Sequence, residues 1–264
     1  MASFNIPFEK YQATGNDFVM VDNRTLGLPR RHDALYAHLC HRRFGIGADG
    51  VILIQHHAGT DFEMVYFNSD GRPSSFCGNG GRCAVVFAQS LGLVKDNSAT
   101  FTAYDGTHNA LIDADGTVCL KMALHGAVKQ YGAHEYFLDT GSPHHVQFID
   151  SEVAGLDVVT KGRAIRNDAR YAPDGTNANF VQVTAGTLHV RTYERGVEDE
   201  TYSCGTGVTA AAIAYAHQTL KTDTWDVAVH TPGGHLHVQR DADGKIWLVG
   251  PAVKVFAGTA SAAL

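Results

Sequence analysis

Apolar and polar residues alternate through Phe62-Glu63-Met64, and Val51-Ile52-Leu53-Ile54 is an unbroken apolar run. The first pattern predicts a strand with one buried face, the second a strand covered on both faces. Further strands are predicted at Asp17 to Asp22, Thr100 to Tyr104, Val118 to Met122, Phe180 to Val183, Leu188 to Tyr193 and Trp247 to Val249. Helices are predicted at about Arg31 to Phe44, Asn79 to Leu91 and Thr206 to Thr219. In the last, Val208, Ala211, Ala212 and Tyr215 fall at helical spacing, which predicts one buried face. Strands outnumber helices by a wide margin.

One motif occurs twice in matching surroundings. Cys77-Gly78-Asn79-Gly80 and Cys204-Gly205-Thr206-Gly207 each precede a small, apolar, helix-permissive run. Upstream, Gly15 of Thr14-Gly15-Asn16 and Gly141 of Thr140-Gly141-Ser142 lie 62 and 63 residues before the respective cysteines. This duplication predicts an α+β fold of two pseudo-symmetric lobes, each a mostly antiparallel, barrel-like sheet around a central helix. The lobes are expected at 1–124 and 125–249, with a tight junction around Leu124 to Glu135.

The 264 residues are 44% hydrophobic and 18% charged, ordinary for a globular protein. A net charge of −6 without a Lys/Arg cluster argues against nucleic acid or an anionic membrane as partner. No apolar run reaches the roughly 20 residues of a membrane-spanning helix, and no signal peptide is evident at Met1-Ala2-Ser3-Phe4. Five cysteines, an odd and sparse set, predict a reducing cytoplasm rather than a disulfide framework. Cys40, Cys83 and Cys119 read as small buried hydrophobes.

Cys77 and Cys204 read differently because glycine surrounds both. A helix N-terminus exposes unpaired amides and the positive end of the macrodipole, so a cysteine just before it has its thiolate stabilised. The glycines let those amides approach a carboxylate closely. Two such thiols facing one cleft would lie on opposite sides of an amino acid Cα. That arrangement suits inversion of a stereocentre, with one thiolate removing a proton and the opposing thiol delivering another.

The residues also carry a family resemblance. Gly15-Asn16-Asp17-Phe18, Gly45-Ile46-Gly47-Ala48-Asp49-Gly50, Asn68-Ser69-Asp70-Gly71, Cys77-Gly78-Asn79-Gly80-Gly81-Arg82-Cys83, Gly141-Ser142-Pro143-His144, Asn177-Ala178-Asn179-Phe180, Glu194-Arg195-Gly196 and Cys204-Gly205-Thr206-Gly207 resemble the diaminopimelate epimerases, in that family's order. The resemblance implies interconversion of L,L- and meso-diaminopimelate by two thiols, with no cofactor and no metal. It implies that Cys77 and Cys204 are those thiols and that the amides of Gly78, Asn79, Gly205 and Thr206 hold the reacting carboxylate. His144 and Glu194 match positions that assist the thiols, and Asn16, Asn68, Asn177, Glu194 and Arg195 match positions that bind substrate. It further implies that the C-terminal strand, roughly residues 250–264, returns to the first lobe. A homodimer is a common assembly in the family.

Two departures stand out. Ser142 replaces an asparagine common in the family, and Gly50 stands where some members carry a substrate-contacting glutamine. Fifteen histidines invite a metal reading, but none joins a cluster at recognised zinc spacing, so apart from His144 they read as surface or turn residues. A proline or hydroxyproline racemase is the alternative within the same chemistry. A non-catalytic amino acid binding module is the alternative outside it.

Overall fold

The computed structural model describes residues 3–74, 76–220 and 222–263. The chain divides into two compact units, one running to Leu120 and resuming at Pro251, the other spanning Lys121–Gly250. The first unit contains β1 (Ser3–Ala13), β2 (Asn16–Asp22), α1 (Asp33–Cys40), β3 (Gly50–Gln55), β4 (Phe62–Asn68), α2 (Gly78–Ser90), β5 (Ser98–Ala103), β6 (Gly106–Ile112) and the first three residues of β7 (Val118–Met122). The second contains β8 (His125–Gly132), β9 (Glu135–Asp139), β10 (Pro143–Phe148), α3 (Val158–Arg166), β11 (Asn177–Thr184), β12 (Thr187–Glu194), β13 (Asp199–Thr201), α4 (Gly205–Thr219), β14 (Trp225–Thr231), β15 (Gly234–Arg240) and β16 (Ile246–Gly250). The last strand, β17 (Val253–Ala263), pairs antiparallel with β1 in the first unit.

The repeat seen in the motifs extends to the ladders. In the first unit β1/β2, β3/β4, β5/β6 and β6/β7 are antiparallel, while β2/β3 and β4/β5 are parallel. The second unit repeats this order through β9/β10, β10/β11, β11/β12, β12/β14, β14/β15 and β15/β16. Each parallel pair needs a crossover, and each crossover contains one α-helix. Helices α2 and α4 therefore occupy the same place in the two repeats, after the fourth strand.

These helices are central. From Gly78 to Val85 every residue of α2 is buried, and it packs on β1 to β4. Helix α4 is buried on nearly all sides as far as Ala216, rather than on the single face its spacing predicts. Its small residues let β9, β10, β11, β12, β14 and β15 close around it. Strand alternation divides the two faces of the sheet. In β2, Val19 and Val21 join the core beneath α1, while Phe18 lies toward Gly80 of α2. In β11, Ala178 and Phe180 pack with Val158 of α3, whereas Asn179 lies against Gly207 of α4.

Helix α1 is shorter than its apolar spacing predicts, ending at Cys40 rather than near Phe44. The chain folds back there: Ile46 and Gly47 amides donate to the Leu39 carbonyl, and Ala48 to that of Cys40. A Cβ at Gly45 would lie 1.8 Å from the His38 carbonyl oxygen, so only glycine permits this turn. Residues 125–132, expected within the junction, form β8, paired with β9.

Candidate active site

Each cysteine of the duplicated motif is the N-cap of its helix. Cys77 (φ −119°) precedes α2 and Cys204 (φ −110°) precedes α4, both in extended backbone. Their carbonyls accept the first helical bonds, from Gly81 N at 2.7 Å and Val208 N at 2.8 Å. The amides of the intervening first-turn residues have no acceptor within the helix. Gly78, Asn79 and Gly205 are among them and are buried.

In the first unit the Cys77 thiol donates to Asn16 Oδ1 at 3.6 Å, and the side-chain Nδ2 of Asn79 donates to the same oxygen at 3.3 Å. The orientation of Asn16 is fixed because its Nδ2 donates to Asp49 Oδ2 at 2.7 Å. Asp49 is braced in turn by Arg42, which also grips Asp17. Burial pushes the Asp17 carboxyl up, but hydrogen bonds from Arg42 and Lys10 outweigh this and hold it at about 2. Behind Asn79 lies Arg82, wholly buried. Its Nη2 donates to Asn79 Oδ1 at 3.0 Å and to Thr14 Oγ1 at 3.2 Å, and its Nε to the Pro251 carbonyl. Burial lowers the guanidinium only to about 10, so a cation stands one turn inside the helix that Cys77 caps.

Asn68 is exposed at the end of β4, opposite Gly50 on the ladder. A Cβ at Gly50 would lie 2.4 Å from Tyr66 Cε2 and 2.5 Å from the Phe67 carbonyl oxygen. The tyrosine ring thus occupies the space that a side chain at position 50 would need.

In the second unit a polar chain runs from the sheet to Cys204. The Thr206 hydroxyl lies 3.4 Å from Cys204 Sγ and 2.9 Å from His144 Nε2. His144 Nδ1 faces Asn179 Nδ2 at 3.1 Å. His144 is fully buried, and burial, with Arg195 adding to it, lowers its pKa to about 3. The ring is therefore neutral near pH 7. Asn177 Oδ1 accepts from the Arg195 backbone amide at 2.8 Å, and its Nδ2 donates to the Pro143 carbonyl at 3.0 Å. This ties the ends of β10 and β12 together. The Arg195 guanidinium rests on the Asp174 carbonyl at 3.3 Å. Glu194 accepts from Thr201 Oγ1 at 3.0 Å, and the Ser142 carbonyl accepts from the Thr140 amide.

The structure thus gathers Cys77, Gly78, Asn79 and Asn16 in one unit. In the other it gathers Cys204, Gly205, Thr206 and His144, with Asn177 beside Arg195. Sequence reasoning passed over Asp49, Arg82 and Asn179, all within motifs it quoted. Asn179 was open to discovery, since it shares a strand face with Asn177. His145, expected at the surface, is only 1% exposed, and its Nδ1 meets the Tyr171 hydroxyl at 2.8 Å. Among the described residues no group of three or more His, Cys, Asp or Glu side chains could hold a metal.

Comparison with known proteins gives a consistent picture. A sequence profile of the diaminopimelate epimerase family matches twice, over residues 8–127 and 136–255. A protein of Flavobacterium psychrophilum named diaminopimelate epimerase is 49% identical over 257 residues, covering 95% of this chain and 98% of that one. A Chlorobaculum tepidum protein of the same name is 41% identical, covering 93% and 97%. Solved structures share the fold at low identity. A phenazine-biosynthesis protein of the PhzF family from Bacillus anthracis has a TM-score of 0.77 at 15% identity, with full coverage of both chains. A hydroxyproline epimerase from Agrobacterium vitis has a TM-score of 0.70 at 14% identity, covering 97% of this chain and 92% of that one. The chain belongs to the diaminopimelate epimerase family.

Proposed function

We propose that this enzyme interconverts L,L- and meso-diaminopimelate, with Cys77 and Cys204 as its acid/base pair. The α-proton of an amino acid is weakly acidic, so the carbanionic transition state must be stabilised electrostatically. Amides of Gly78, Asn79, Gly205 and Thr206, at the positive ends of two helices, are suited to the reacting carboxylate. One thiolate breaks the Cα–H bond and takes the proton, and the other thiol protonates the opposite face. Each turnover leaves the two thiols with exchanged protonation states.

The distal amino acid end of the substrate accounts for the remaining polar residues. Arg195 offers a planar fork for the distal carboxylate. Asn16, Asn68, Asn177 and Glu194 supply hydrogen bonds, and Glu194 and His144 support the thiols. The observation that carries this reading is the equivalent placement of the two cysteines, each capping the buried crossover helix that follows the fourth strand of its repeat.

We place the reaction in the cytoplasm, consistent with an odd and sparse set of five cysteines, and take a homodimer, common in the family, as the assembly. No helix among the described residues is long and apolar enough to cross a membrane. The test is incubation of the purified protein with L,L-diaminopimelate and, separately, L-proline, without added cofactor. Formation of the meso isomer with inert proline is expected. Turnover of proline alone would reassign the substrate, and tight binding of diaminopimelate without turnover would indicate a binding module.

A further inference from the structure

We propose that Asn179 is a positioning residue for Cys204: its amide fixes the tautomer of the buried His144, which directs the Thr206 hydroxyl hydrogen toward the sulfur. The inference rests on the reading of Cys204 as an acid/base group and concerns how that thiol is prepared.

Asn179 carries a fully buried amide on the face of β11 toward α4. Its orientation is determined by two neighbours whose roles admit no exchange. The His145 carbonyl, 2.9 Å from Nδ2, can only accept, so that atom is the NH₂ group. Oδ1 accepts from the Thr192 hydroxyl at 3.0 Å. The second hydrogen of Nδ2 then points at His144 Nδ1, 3.1 Å away. A neutral imidazole that accepts at Nδ1 carries its hydrogen on Nε2.

The direction of every later bond follows. His144 Nε2–H donates to Thr206 Oγ1 at 2.9 Å. With a lone pair of that oxygen engaged, the hydroxyl hydrogen is available to Cys204 Sγ at 3.4 Å. A donor aimed at sulfur favours the thiolate. His144 thus assists Cys204 as a relayed donor, without taking the thiol proton itself. The opposite tautomer would reverse the chain, with Thr206 donating to His144 and presenting a lone pair to the sulfur. The charged group acting on the ring is Arg195, which disfavours imidazolium.

Gly207 belongs to the same device. A Cβ there would lie 2.3 Å from Asn179 Oδ1 and 3.3 Å from His144 Cε1. The fourth residue of the motif is therefore glycine so that the helix can seat against this amide and ring. In the first unit the corresponding contact has the opposite sense, since Cys77 faces the carbonyl oxygen of Asn16. The two thiols are prepared differently.

Two measurements without substrate test the proposal. Proton–nitrogen correlation spectra of the imidazoles should show His144 as a single neutral tautomer with its hydrogen on Nε2, and mixed tautomers in Asn179→Leu. Iodoacetamide alkylation of Cys204 against pH is followed in a Cys77→Ala background, with Cys40 and Cys119 pushed up to about 12 by burial and Cys83 higher still. Asn179→Leu and Thr206→Val should each move the alkylation midpoint up by about one pH unit, roughly tenfold in thiolate fraction. Thr206→Ser should keep the original midpoint. A hydrogen on His144 Nδ1 in the unaltered protein, or an unchanged midpoint in Thr206→Val, would overturn the proposal. If Asn179→Leu does not fold, the tautomer of the unaltered protein and the Thr206 pair still decide. Either result leaves the substrate assignment standing, and failure to turn over diaminopimelate leaves the tautomer standing.

Discussion

Two glycines at the third position of the central helices should respond very differently to alanine. Gly80 of α2 and Gly207 of α4 are equivalent in the repeat, and alanine at either gains up to about 1 kcal/mol of helix propensity. At Gly80 the new Cβ would meet Ile52 Cδ1 at 3.0 Å and Met64 Cε at 3.2 Å, both ends of flexible side chains. A small shift relieves these contacts, so Gly80→Ala should lie within about 0.5 kcal/mol of the unaltered protein. At Gly207 the Cβ would lie 2.3 Å from Asn179 Oδ1. That amide is held by His145, His144 and Thr192 and has nowhere to move. Overpacking costs about 1–3 kcal/mol, and a lost hydrogen bond adds about 1 kcal/mol. After the propensity gain, roughly 2 kcal/mol of destabilisation remains, or about 4–8 °C in melting temperature. Turnover should fall about tenfold or more, the weight of one hydrogen bond to a charged group. Thermal melts and epimerisation rates of the two variants, run side by side, measure both effects. Equal stability and activity of Gly207→Ala and Gly80→Ala would mean that Asn179 yields to a Cβ at position 207 without cost.

Other outcomes follow from the same geometry. Arg195→Lys keeps the charge but loses the fork, so kcat/KM for diaminopimelate should fall by about tenfold or more, and an unchanged value would reassign Arg195 to a structural contact. Arg82→Met removes the buried cation behind Asn79, and alkylation of Cys77 at neutral pH should slow several-fold, whereas an unaltered rate would leave Arg82 a packing role only. His144 and His145 are held neutral mainly by burial, at about 3 and about 4 against 6.5 unfolded, so the unfolded chain binds more protons below pH 6.5. Their contribution to stability is therefore complete above pH 6.5 and is lost as pH falls toward 4 and 3, by up to about 1.4 kcal/mol per pH unit for each ring. Melting temperature against pH should show this slope, and His145→Gln should flatten it; a flat profile between pH 6.5 and 4 would contradict the assignment.

Much of this was legible in the chain because local and tertiary requirements coincide. Cys77 and Cys204 stand out since a helix start that must admit a ligand needs glycine around the thiol. The strands at Val51 to Ile54 and Val118 to Met122 carry enough apolar residues to be recognised alone. What escaped depends on partners distant in sequence. Strand β17 reads Val253-Lys254-Val255-Phe256 and then small residues, a pattern that does not say where it packs; only the family resemblance implied its return to the first lobe, where β1 at the other end of the chain supplies the pairing. Helix α1 ends early because the segment from Gly45 to Ala48 claims its last carbonyls. Asn179 and His145 are polar residues in buried strands, where polarity suggests exposure. Only their hydrogen-bond partners reveal why they lie inside.

Inversion of one carbon by two thiols without a cofactor leaves its signature in hydrogen exchange at that carbon. L,L-diaminopimelate is incubated in deuterated water with the unaltered protein, Cys77→Ala and Cys204→Ala, each checked for its native melt. The unaltered protein should form the meso isomer with deuterium incorporated at Cα, and both variants should form none. Meso product at near-normal rate from either variant would contradict the two-thiol account.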